Sequence, residues 1–151
     1  MANLLLFVCT GNTCRSPLAE GLTLNWMKNN QIKEWEVKSA GTFAVDGCPT
    51  NPKTIEALLG QGIEFAGFST SLSKELVDRA TVVLCMTASH CVDVAEIAED
   101  PNKVELLDQK GGIADPLGGS QSVYDALAAR LLEIIPARLA EIVEQTDINE
   151  E

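Results

Sequence analysis

Cys9 and Arg15, with five residues between them in Val8-Cys9-Thr10-Gly11-Asn12-Thr13-Cys14-Arg15-Ser16-Pro17, are the residues of this chain best suited to chemistry. A loop between a strand and a helix start can curl its backbone N–H groups around one centre. That is a nest for an anion at a helix N-terminus. The converging dipoles and the Arg15 charge stabilise S⁻ over SH at Cys9. The same donors bind a tetrahedral oxyanion. The planar fork of Arg15 grips two of its oxygens at once, which lysine cannot do. Nucleophile and phosphorus are then held together, and positioning removes much of a bimolecular barrier. The implied reaction is attack of Cys9 on a phosphate ester to give a cysteinyl-phosphate. Thr10, Gly11, Asn12, Thr13, Cys14, Arg15 and Ser16 form the candidate phosphate-binding set. The rival reading is a domain whose loop binds an oxyanion and does no chemistry.

Such an attack leaves an alkoxide, phenolate or amine that must be protonated. Asp115, in Gly111-Gly112-Ile113-Ala114-Asp115-Pro116-Leu117-Gly118-Gly119, is the best-placed acid in the sequence. A carboxyl near a bound phosphate and partly shielded from water would keep its proton, as a general acid must. Once ionised, it could activate the water that attacks the cysteinyl-phosphate. Asp-Pro in a glycine-rich loop is also ordinary turn chemistry. The Cys9–Arg15 loop is what raises it above that.

The elements that must position these groups alternate along the chain. Residues 4–9 are a continuous apolar run, short enough for a buried strand. Ser16 can cap a helix over 17–29, with Pro17 in its first turn and Glu20 at its positive end. Residues 35–39 read as a second strand and 52–61 as a helix with Pro52 in its first turn. A short helix spans 73–79, and 81–86 is the clearest buried strand. Residues 88–97 are helical, 104–107 form a last short strand, and 109–120 form a loop. A long helix covers 121–146, with Leu127, Leu131, Ile135, Leu139 and Val143 as its apolar stripe. Pro136 should kink or interrupt it. The alternation predicts a three-layer α/β domain over residues 1–151, a four-stranded, mostly parallel sheet with helices on both faces. Ligands of such sheets bind beyond the carboxyl ends of the strands, where the loop after Cys9 would lie.

Composition narrows the partners. A chain of 151 residues, 46% hydrophobic, can bury a real core. A formal net charge of −11 argues against nucleic acid and anionic membranes. It also means that attraction for an anion must be local. The apolar segments are far shorter than a membrane span, and residues 4–9 are too short and lack the basic flank of an export signal. Five cysteines, without the spacing of a disulfide scaffold, fit a reducing cytoplasm. His90 is the only histidine, the cysteines lack the close pairs of structural zinc sites, and no Walker-type sequence occurs, so no metal or cofactor is expected. A monomer is the simplest expectation.

From Cys9 to Ser16 the sequence resembles the cysteine–five residues–arginine–serine loop of low-molecular-weight protein-tyrosine phosphatases. The resemblance covers nearly the whole chain. Ser39-Ala40-Gly41-Thr42 follows the second strand, Cys85-Met86-Thr87 ends the third, and Asp115-Pro116 precedes the last helix. It implies Cys9 as nucleophile, Arg15 as phosphate clamp and Asp115 as acid, then base. It implies phosphorylated proteins as substrates. It further implies that Ser16 donates to the cysteine sulfur, and that Asn12 takes a left-handed turn and bonds towards Ser39. Thr13, where many tyrosine-specific members carry an aliphatic residue, resembles the bacterial protein-arginine phosphatases, as does Asp115-Pro116 with Gly118-Gly119. Leu117 departs from that pattern, where an aromatic is usual. These two positions should set specificity, with phosphoarginine ahead of phosphotyrosine. Gly67 stands in place of a histidine common in the family, which should weaken the network around Asn12 and Ser39.

Cys14 has two readings. It could form a reversible disulfide with Cys9 that protects the nucleophile, or pack behind the loop as a small side chain. Cys85 and Cys91 raise another rival. Thioredoxin-coupled arsenate reductases share this fold and loop, and pass oxidation from the first cysteine to two more. The plain alternative is a buried strand cysteine beside a helix cysteine.

Overall fold

The computed structural model describes residues 2–150. Strand β1 (Asn3–Cys9) is its centre, with six of its seven residues buried. Leu5, Phe7 and Cys9 enter one core, and Leu4, Leu6 and Val8 enter the other. A strand covered on both faces has no polar side, which explains the unbroken apolar run. β2 (Trp35–Gly41) pairs with one edge of β1, and β3 (Val82–Cys85) with the other. β4 (Val104–Leu106) pairs with β3. The order is β2-β1-β3-β4, and every pairing is parallel.

Helices α1 (Arg15–Asn29), α2 (Pro52–Gly60) and α5 (Gln121–Glu150) cover the first face. Leu18, Leu22, Leu58, Leu131, Ile135 and Leu139 fill the core beneath them. Helices α3 (Lys74–Arg79) and α4 (Ala88–Ile97) cover the second face with Val77 and Val94. None of the described helices is long and apolar enough to cross a membrane.

Two expectations need correction. α1 begins at Arg15 rather than at 17, with Cys14 in the capping position and no side-chain cap. Ser16 is therefore inside the helix and fully buried, and its hydroxyl is taken by Cys9 and Asn12. Glu20 lies beyond the first turn, which holds no acid, and turns to Ser39. Pro136 does not interrupt α5, which runs unbroken to Glu150. Its missing N–H leaves the carbonyl of Leu132 without its helical donor, at a residue on the exposed side of the helix. Buried Leu131, Ile135 and Leu139 pin the helix on both sides of the proline.

Candidate active site

The loop from Thr10 to Cys14 leaves the carboxyl end of β1 where the chain order divides, β2 lying on one side and β3 on the other. Clefts form at such points because successive crossovers depart in opposite directions. Asn12 turns the loop with φ at 57°, a left-handed conformation that asparagine tolerates. Its Oδ1 accepts from Thr70 N at 2.8 Å, so the amide nitrogen faces the other way. Nδ2 donates to Ser16 Oγ at 2.8 Å and to Ser39 Oγ at 2.9 Å. Gly41 packs against this turn. A Cβ there would collide with the Thr10 carbonyl oxygen and press on Ala44 and Asn12, so close approach requires glycine.

Cys9 is 2% exposed, and its Sγ lies 2.9 Å from Ser16 Oγ. Ser16 Oγ already accepts from Asn12, so its own proton is free for the sulfur. At the far end, Ser39 Oγ accepts from Asn12 and donates to Glu20 Oε1 at 2.5 Å. Burial raises the Glu20 carboxyl above its ordinary range, while the Ser39 bond and the Lys38 charge pull it down. The network expected to suffer from Gly67 is thus closed by other groups, the Thr70 amide and the Glu20 carboxylate.

Arg15 is an almost fully buried cation, its side chain 7% exposed. Nη1 donates to the Ile113 carbonyl at 2.9 Å, and Nη2 reaches Thr10 Oγ1 at 3.4 Å and Asp115 Oδ2 at 3.7 Å. Arg15, which closes the loop that Cys9 opens, therefore meets Asp115 from far along the chain. Asp115 is more open than its sequence context suggests, with a side chain 49% exposed. Its Oδ1 accepts from Leu117 N at 3.1 Å, which fixes the turn. Lys53 Nζ donates to the Gly119 carbonyl and ties this loop to α2. Leu117 points outward, 68% exposed. Thr13 is half-buried at the loop rim, and its hydroxyl comes no nearer than 3.8 Å to Cys14 Sγ.

Cys14 is buried, with Sγ 3.3 Å from the Tyr124 hydroxyl. Burial holds that phenol well above its ordinary range, and the bond to Cys14 adds to this. Cys85 and Cys91 belong to the other core, across the sheet from Cys9 and Cys14. Burial pushes the Cys85 thiol far up.

Three residues beside the loop escape the sequence reading. His90, weighed there only as a metal ligand, places Nε2 2.8 Å from Thr10 Oγ1. Tyr124 looks like one more residue of a helix. Phe43 donates its N–H to the Thr10 carbonyl at 3.0 Å and stands 87% exposed beside the loop. An aromatic one residue past Ala40-Gly41-Thr42 is the signal that could have revealed it.

Comparisons with known proteins agree with this geometry. Residues 4–148 match the model of the low molecular weight phosphotyrosine protein phosphatase family. The chain is 45% identical over 143 residues to a protein-arginine-phosphatase of Geobacillus stearothermophilus, covering 91% of this chain and 93% of that one. It is 30% identical over 133 residues to a low molecular weight protein-tyrosine-phosphatase, PtpB, of Staphylococcus haemolyticus, covering 85% and 92%. A solved YwlE arginine phosphatase, mutated from cysteine to serine and phosphorylated on its active-site serine, superposes with a TM-score of 0.87. That structure is 33% identical and covers 93% of this chain and 95% of its own. Matched over nearly its full length, with a central strand that ends in Cys9 and pairs in parallel on both sides, the chain belongs to the low molecular weight phosphotyrosine protein phosphatase family.

Proposed function

We propose that this protein removes phosphate from phosphoarginine in proteins by way of a phosphocysteine on Cys9. The observation that carries the arginine preference is the Thr13 hydroxyl, whose side-chain contact among the described residues is Cys14 Sγ at 3.8 Å. A guanidinium brings several N–H donors, and a hydroxyl at the rim can accept one or order the attacking water. An aliphatic side chain there would present only methyl groups. The identity to the Geobacillus arginine phosphatase supports the same reading.

The steps use groups already described. Cys9 Sγ attacks phosphorus and forms the S–P bond as the P–N bond breaks. Asp115 gives its proton to the departing guanidine nitrogen. Arg15 and the loop amides hold the oxygens, where charge is best stabilised by fixed donors. Asp115, now ionised, takes a proton from water. That water attacks phosphorus, the S–P bond breaks, and Ser16 donates to the returning thiolate. Substrate entering the cleft would supply the shielding that open Asp115 otherwise lacks.

Side-by-side turnover of phosphoarginine, phosphotyrosine, phosphoserine and arsenate tests this. Cys9→Ser should abolish phosphatase turnover. Thr13→Ile should shift the phosphoarginine-to-phosphotyrosine ratio by about tenfold towards phosphotyrosine, ~1.4 kcal/mol of transition-state binding. Unchanged selectivity in Thr13→Ile removes the argument from Thr13. The arsenate reductase reading suffers from the sheet that separates Cys85 and Cys91 from Cys9. Thioredoxin-dependent arsenate reduction lost in Cys85→Ser and Cys91→Ser would restore it.

Cys14 adds a protective reading to the same site. Peroxide converts the Cys9 thiolate to a sulfenic acid. Cys14 then attacks that sulfur, the S–S bond forms and water leaves. In Cys14→Ser, the activity that dithiothreitol restores after peroxide should fall well below that of the parent, each measured against its own untreated rate. Equal recovery would leave Cys14 as packing only.

A further inference from the structure

His90 is the one histidine of the chain, and the chemistry above does not use it. It sits in the first turn of α4 and is 4% exposed. Both ring nitrogens face hydroxyl groups. Nδ1 lies 3.0 Å from Oγ1 of Thr87, the residue that caps α4. Nε2 lies 2.8 Å from Thr10 Oγ1, in the loop that follows Cys9. Thr10 Oγ1 in turn accepts from Arg15 Nη2 at 3.4 Å. A buried imidazole therefore joins the end of β3 to the phosphate loop.

Hydroxyl geometry gives this contact a consequence. A threonine hydroxyl has one proton and two lone pairs, and rotates to suit its neighbours. To accept from Arg15 it must turn its proton away, and Nε2 is in place to receive it. Arg15 has few other anchors, the Ile113 carbonyl on Nη1 and the more distant Asp115 on Nη2. We propose that His90 is a positioning residue, whose Nε2 holds the Thr10 hydroxyl with a lone pair towards Arg15 and so sets the plane of the phosphate clamp. The inference rests on the reading of Arg15 as that clamp.

A neutral ring is needed, and the surroundings favour one. Burial first, then the Arg15 charge, hold the imidazole below its ordinary range, against the pull of Asp93 on α4 and Asp115 in the acid loop. With Nε2 accepting, Nδ1–H donates to Thr87. The clamp works hardest when charge gathers on the phosphoryl oxygens in the transition state. Misalignment should therefore lower kcat more than it raises KM.

The two nitrogens can be mimicked separately. An asparagine amide reaches the place of Nδ1, and a glutamine amide reaches that of Nε2. A role confined to capping α4 predicts rescue by asparagine, whereas a role in the clamp predicts rescue by glutamine. The experiment is steady-state kinetics of His90→Ala, His90→Asn and His90→Gln on phosphoarginine and an aryl phosphate, with Tm measured for each. In the alanine and asparagine variants kcat should fall about tenfold while KM moves less than about threefold. Glutamine should recover most of that loss. Thr10→Val combined with His90→Asn should be no worse than Thr10→Val alone, since both act through one contact. Parent-like kcat in His90→Asn, equal losses in His90→Asn and His90→Gln at matched Tm, or additive losses with Thr10→Val would overturn the proposal. Arg15→Ala separates the two readings. If it keeps normal turnover, the clamp itself fails. If it is inactive while His90→Asn turns over normally, only the role of His90 falls.

Discussion

Glu20 ends a relay whose directions are settled by its two acceptors. Its carboxylate takes the Ser39 proton, Ser39 takes one Asn12 N–H, and Ser16 takes the other. Ser16 is left to donate to Cys9 sulfur. Asn12 is the only group that donates both ways, and Thr70 fixes its orientation. An ionised Glu20 therefore keeps every proton pointed correctly, at a cost in stability because burial raises its carboxyl. A carboxyl with a raised folded-state pKa stabilises the fold fully below its unfolded value, and that contribution disappears as pH rises through the folded one. Glu20→Gln keeps an acceptor for Ser39 without a charge to bury. Its Tm relative to the parent should therefore rise between about pH 4 and pH 7, reaching a few degrees. Thermal melts across that range measure the difference. A constant difference would mean that burial of the Glu20 charge is not what the fold opposes.

At the scale of elements, legibility followed the range of the interactions. Residues 88–97 were readable as α4 because its signals are local, a β-branched strand followed by Thr87, whose hydroxyl accepts from His90 N. Pro52 in the first turn did the same for α2. Ser16-Pro17 carries an equally good local signal, yet α1 starts at Arg15 because Ser16 is claimed by a sulfur and an amide across the loop. The first-turn amides of α1 thereby have no side-chain cap. Of the kink or interruption expected at Pro136, the interruption does not occur, for the converse reason. A local penalty of ~3 kcal/mol is outweighed by a stripe of buried leucine and isoleucine. Cys9 and Arg15 stand out in the sequence because their types and spacing carry chemistry by themselves, and Asp115 stands out only beside them. His90 and Tyr124 could not, because they meet the loop from 80 and 110 residues away.

The whole molecule sets a field against which the site works. The formal net charge is −11, yet the proposed chemistry needs the loop after Cys9 to attract an anion. Arg15 would supply that attraction locally, as a buried cation whose close-range interactions solvent and salt screen least. The field still acts on what approaches from farther away. Exposed charges interact over a Debye length of about 10 Å at 0.1 M salt, so the polypeptide flanking a phosphorylated residue feels it more than the phosphate does. Segments rich in lysine and arginine should be drawn to this surface and acidic ones repelled. We expect kcat/KM for a basic phosphopeptide to fall roughly tenfold between about 20 and 200 mM salt. For an acidic peptide with the same phosphorylated residue it should rise, and for a free phosphorylated amino acid it should stay nearly flat. The three salt slopes, measured on one enzyme preparation, separate the molecular field from the local clamp. Equal slopes for the basic and acidic peptides would mean that substrate choice is made entirely within the cleft, by Thr13, Phe43 and the loop carrying Asp115.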